Sequence, residues 1–137
     1  MEKLFSKSHE WVKIEGSKAQ IGLSDYAQQE LGDIVYVNLP ELGSDVECGK
    51  AFTDIESVKA VSEVLSPVCG KVVAVNEELA DAPEKINEAS DDAWIVEVEM
   101  TGREDGLMNA EQYAAATAED RAVAVVAGPG TGKTKTL

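Results

Sequence analysis

Basic residues are scarce. Twelve Lys and Arg stand against 26 Asp and Glu, leaving a net charge of −14 at neutral pH. A surface of that sign cannot neutralise a phosphate backbone, which disfavours nucleic-acid binding over the whole surface and favours soluble partners with basic patches. Histidine occurs once. Cysteine occurs twice, at Cys48 and Cys69, with no CxxC pair. No metal site is expected from so few ligands. Two separated cysteines predict reduced structural thiols in a cytosolic setting rather than a disulfide framework. The longest apolar run, Ala122 to Ala127, is too short to cross a bilayer. The opening residues, MEKLFSKSHEW, lack the apolar core of a secretory signal. What remains is a soluble, cytoplasmic chain. Its 137 residues, 44% hydrophobic and 28% charged, are enough for one packed domain with a short tail.

Most of the pattern has period two. Trp11, Lys13 and Glu15 alternate with Val12 and Ile14, Gly16-Ser17 supplies a turn, and Ala19 to Leu23 pairs back as a hairpin. Ser24 or Asp25 then caps a short helix that Gly32 ends after Leu31. Ile34, Tyr36 and Asn38 alternate with Val35, Val37 and Leu39 in a strand stopped by Pro40. Ala51 to Glu56 and Ala60 to Leu65 read as the arms of a second hairpin, and Lys71 to Val75 resumes after Pro67 and Gly70. The acidic stretch NEELADAPEKINEASDDA reads as a solvated loop with room for one helical turn. WIVEVEM is the last strand, and the alanine-rich segment from about Asn109 is helical. The predicted core is Val12, Ile14, Ile21, Leu31, Val35, Val37, Ile55, Val64, Val72, Val75, Ile95 and Val96. The fold class is mainly β: two small antiparallel sheets with short helices, one of them near the C-terminus.

Lys59 stands at the tip of the second hairpin. A tight hairpin holds its tip backbone still and projects the tip side chains into solvent. A docking enzyme can therefore reach and acylate that amine. Ala60 leaves room, Val58 offers a small apolar shoulder, and Glu56 and Ser57 offer polar contacts. A flexible stem on a rigid post would then carry a tethered group between distant sites at high effective concentration. A surface lysine with no such role is the ordinary alternative on spacing alone.

ESVKA, Glu56 to Ala60, resembles the lipoyl-attachment motif of the glycine cleavage system H proteins. SHEWV at Ser8, IGLSDYAQQELGDIVYVNLPELG at Ile21, SPVCGKVVAVNEEL at Ser66, PEKIN at Pro83, WIVEVEM and EDGLMNAEQY at Glu104 resemble further segments of that family, in its order. The resemblance implies a lipoyl-carrier-like flattened barrel or sandwich. Biotinyl carriers, the rival within this fold type, resemble Met-Lys-Met at the tip, whereas Val58 and Ala60 flank Lys59. It further implies a non-catalytic shuttle with lipoate in amide linkage to Lys59. Such a carrier takes an aminomethyl group from glycine decarboxylase to an aminomethyltransferase and passes reducing equivalents to dihydrolipoyl dehydrogenase. A lipoate ligase or lipoyl transferase would load it. The loaded arm is expected to rest in a surface cleft, with His9 and Glu10 as candidate cleft residues. A lipoate reservoir with the same fold but a different task is an alternative.

Charge shifts abruptly at Arg121: positions 1–120 hold 9 basic and all 26 acidic residues, while positions 121–137 hold 3 basic residues and no acid. Within that tail, Gly128, Gly130, Gly132, Lys133 and Thr134 resemble a Walker A loop, in which glycine N–H groups wrap phosphate, lysine reaches the outer phosphates and threonine holds Mg²⁺. Ala127 stands where the general pattern has its first glycine, as in UvrD/Rep-like helicases. That implies a second class of function, a nucleotide-binding helicase-derived fragment. Only three residues follow Thr134, with no further strand or Mg²⁺-binding acid, so autonomous nucleotide hydrolysis is not expected. The expected division is a carrier domain over 1–117 and an extension over 118–137.

Overall fold

A computed structural model describes residues 2–117 of the chain. Among the described residues, those up to Leu107 form one compact unit and those from Met108 onward belong to a second. In the first unit the strands are β1 (Glu2–Phe5), β2 (Glu10–Glu15), β3 (Lys18–Leu23), β4 (Ile34–Val37), β5 (Asp45–Val46), β6 (Ala51–Ser57), β7 (Val61–Leu65), β8 (Val68–Val75) and β9 (Val96–Arg103). Between them lie the helices α1 (Asp25–Leu31), α2 (Glu78–Asp81) and α3 (Lys85–Glu88). Six strands make one antiparallel sheet in the order β1-β2-β3-β9-β8-β5, and three make another in the order β4-β6-β7. Both expected hairpins are present. β1, which sequence reading did not foresee, extends the first of them.

Local chemistry sets the boundaries. Ser24 is the N-cap of α1, its hydroxyl accepting from the Ala27 N–H at 3.2 Å. Gly32 ends that helix with φ +78°, in the left-handed region glycine enters without Cβ strain. In the second unit, residues 110–117 are helical. Asn109 and Gln112 close a reciprocal capping box there: the Gln112 N–H donates to the Asn109 side chain at 2.8 Å, and the Asn109 N–H to the Gln112 side chain at 3.0 Å.

Inward faces of both sheets share one apolar core. Val12, Ile14, Ile21, Val37, Ile55, Val64, Val72, Ile95 and Val96 are buried in it, and Leu31 and Val75 pack half-buried against it. Val35 is not a core residue: it is 53% exposed and Ile34 is buried in its place. The register explains this. Ile34 pairs with Ser57 and Tyr36 with Glu56, so Val35 is the extra residue of a β-bulge, and the in–out alternation changes phase there.

The acidic stretch after Asn76 also departs from expectation. It holds two helices rather than a solvated loop, and each places one aliphatic side chain, Leu79 from α2 and Ile86 from α3, fully in the core. One buried residue per four-residue helix leaves no periodicity to read.

Candidate functional site

The β6–β7 hairpin is fixed by the pairs Ile55↔Ser62 and Glu56↔Val61, leaving Ser57 to Ala60 as its tip. Ser57 clamps that tip. Its backbone N–H donates to the Ala60 carbonyl at 2.8 Å, and its hydroxyl accepts from the Lys59 and Ala60 N–H groups, both at 3.2 Å. The Val58 N–H donates to the Asp33 carbonyl at 3.0 Å, tying the tip sideways to the corner between α1 and β4. Asn87 in α3 fastens that corner: its amide donates to the Gly32 carbonyl at 2.8 Å and to Gln28 at 2.9 Å, while its oxygen accepts from the Ile34 N–H at 2.9 Å.

Lys59 is exposed on this braced tip. Its stem runs beside Gly32, where an added Cβ would stand 3.3 Å from Lys59 Cε. Glycine there both ends α1 and leaves the lysine stem room to swing. Ser57 is spent on the turn itself, so Glu56 and Val58 are the exposed shoulders, with Ala60 small and open between them and β7. Glu56 stands in register between Tyr36 on β4 and Val61 on β7, all three exposed.

A cleft of about 170 Å³ opens beside the hairpin. Ser62, Glu63 and Val64 of β7 line one side, Tyr26, Ala27, Glu30 and Leu31 of α1 another, and Ser8, His9, Glu10 and Leu23 the rest. The structure thus brings His9 and Glu10 together with the hairpin arm that carries Lys59. Sequence reading missed Glu63, Tyr26 and Leu31 as cleft walls, and Asp33, Gly32 and Asn87 as supports. These contacts join segments distant in the chain, and no local pattern marks them.

His9 adopts φ +72° at the entry to β2, and its ring lies against that of Tyr26, tilted by 38° with centroids 4.5 Å apart. Glu10 is only 2% exposed. Its carboxylate accepts from the Ser6 hydroxyl at 2.6 Å, from the Ser8 hydroxyl and from the Leu65 N–H at 3.3 Å. Burial pushes its pKa above the usual carboxylate value of 4.5, and those hydrogen bonds oppose the rise. The native state therefore binds the Glu10 proton more tightly than the unfolded chain does. Glu10 destabilises the fold as pH rises from about 4.5 toward neutrality. Glu10→Gln, with its amide toward the two serines and its oxygen toward Leu65, removes that pH-dependent loss. Denaturant midpoints at pH 4.5 and pH 7 should fall less between the two in the variant than in the parent. Parallel curves would show that Glu10 keeps an ordinary pKa.

Gly128, Gly130, Gly132, Lys133 and Thr134 lie outside the described residues.

The family model of the glycine cleavage H-protein matches residues 3–120. Over 109 residues the chain is 53% identical to the glycine cleavage system H protein of Treponema denticola, covering 80% of this chain and 89% of that one. It is 51% identical over 119 residues to the glycine cleavage system H protein of a Bacillus cereus strain, covering 85% and 94%. The crystal structure of a glycine cleavage system H protein from Mycobacterium marinum matches this fold with a TM-score of 0.79 at 31% identity, covering 85% of this chain and 97% of that one. With its two-sheet fold and tip lysine, the chain belongs to the glycine cleavage H-protein family.

Proposed function

We propose that this chain is the lipoyl-bearing shuttle of glycine cleavage, a carrier rather than a catalyst, with lipoate in amide linkage to Lys59. The observation that carries this reading is an exposed lysine on a tip that Ser57 and Asp33 hold rigid. The tip fits such a group: Gly32 leaves the stem clear where a Cβ would crowd it. When bound, lipoate supplies a dithiolane that takes up an aminomethyl group and two electrons.

This chain's residues supply position, shelter and charge. Amide formation at Lys59 removes one of few positive charges, which makes the tip more acidic toward basic partner surfaces. Glu56, Tyr36, Val58 and Val61 form the exposed shoulder that an attaching enzyme, a lipoate ligase or lipoyl transferase, would contact. The cleft with His9 and Glu10 lies along β7, only a few residues from the attachment point, and shelters the arm from water. The carboxylates of Glu10, Glu30 and Glu63 around it suit a nitrogen-bearing, positively charged cargo. Glycine decarboxylase, aminomethyltransferase and dihydrolipoyl dehydrogenase are its partners in the cytoplasm, with no nucleic acid, membrane or metal involved. Residues 1–117 form the carrier and 118–137 an extension outside this task.

Exposure of the full chain to a lipoate ligase, lipoate and ATP should add one lipoyl group, mapped to Lys59. The product should then support glycine decarboxylation with the partner enzymes. Attachment at another lysine overturns the site. Attachment at Lys59 without support for decarboxylation overturns the shuttle and leaves a lipoate donor or reservoir.

A further inference from the structure

Cys48 and Cys69, 21 positions apart, meet in the fold. Cys48 follows β5 and makes an isolated bridge with Ser66, while Cys69 lies near the start of β8. The Cys48 N–H donates to Cys69 Sγ at 3.2 Å, which sets the two residues side by side. Both are free and half-buried. Cys69 also lines an open groove with Glu47, Lys71 and Thr101.

We propose that Cys48 and Cys69 close a reversible intramolecular disulfide at the base of the Lys59 hairpin. Residues 48 to 69 enclose all of β6 and β7, so the bond ties off the whole hairpin at the end opposite its tip. The oxidant is a small-molecule disulfide. The Cys69 thiolate attacks one of its sulfurs and expels the other as a thiolate. The Cys48 thiolate then attacks the Cys69 sulfur of that mixed disulfide and expels the second thiolate. The two thiol protons pass to the two leaving groups. The protein loses two electrons and two protons, and the small disulfide is reduced to two thiols.

Burial comes first among the causes that raise the Cys48 thiol, followed by Cys69 and the Glu104 carboxylate; together they push it up to about 12. Cys69 lines the open groove, so it is the attacking thiol and Cys48 the resolving one. The bond brings no new contact to the folded state. Its expected effect is to restrict the unfolded chain across a loop of 22 residues, which raises the thermal midpoint by about 10 °C.

The test uses the full chain carrying Lys59→Arg, so that no sulfur on an attached arm competes and the outcome is independent of lipoylation. It is incubated with millimolar oxidised glutathione. The expected product has lost two hydrogens by intact mass, and peptide mapping joins Cys48 to Cys69. Its thermal midpoint is raised, and dithiothreitol reverses both changes. Cys48→Ser should stop at one glutathione adduct on Cys69. Two glutathione adducts on one chain, bonds only between chains, or no reaction would overturn the proposal. So would a crosslinked product whose midpoint does not move.

Discussion

Lys59→Arg should leave a folded chain that supports no glycine decarboxylation above the level measured without carrier. Arginine keeps the charge and most of the length, but its guanidinium stays protonated and offers no free amine to acylate. Lipoate attachment should therefore vanish from the intact mass. Without a tether the reaction must proceed by encounter of free molecules, and effective concentrations gained by tethering are commonly worth at least about 100-fold. Stability should hardly change, because residue 59 is exposed and the tip is held by backbone groups and Ser57, not by the lysine head. A thermal midpoint within about 2 °C of the parent separates lost chemistry from lost fold. Undiminished decarboxylation by a folded Lys59→Arg chain would remove the attachment site from Lys59.

Much of this arrangement was legible in the chain because the informative signals are local. Alternation in Glu10 to Leu23 and in Ala51 to Leu65 gives both hairpins and sets Lys59 at the tip of the second, and Ser24 and Gly32 bound α1. What sequence could not show depends on partners far along the chain. Val35 and Ile34 exchange places because β6 has one residue fewer across the bulge, a count invisible in β4 alone. Asn87 steadies the lysine's corner across 55 positions, and the cleft wall at Glu63 is defined only once β7 lies beside α1. The cysteines are the sharpest case. Their separation in sequence argued against a relationship, whereas the short β5 and its pairing with β8 set them side by side.

Alternation puts Trp11 on the face of Lys13 and Glu15, yet it is completely buried. Gly22 lies directly opposite on β3 and makes this possible, since a Cβ there would stand 2.4 Å from Trp11 Cζ2. The indole N–H donates to the Ser90 carbonyl at 2.8 Å. The ammonium groups of Lys13 and Lys3 lie 4.7 Å and 5.7 Å from the ring centre and close the solvent side. Trp11→Ala removes a large apolar surface and orphans the Ser90 carbonyl, so it should destabilise by about 3–5 kcal/mol in denaturant unfolding. Gly22→Ala should cost about 1–3 kcal/mol by overpacking against the indole. The two losses must not add. With the indole gone the alanine methyl has room, and alanine then favours a strand over glycine by about 0.5–1 kcal/mol. Gly22→Ala in the Trp11→Ala background should therefore be neutral or stabilising, a coupling that a double-mutant cycle reads directly. Additive losses would mean that something other than room for the ring keeps glycine at position 22.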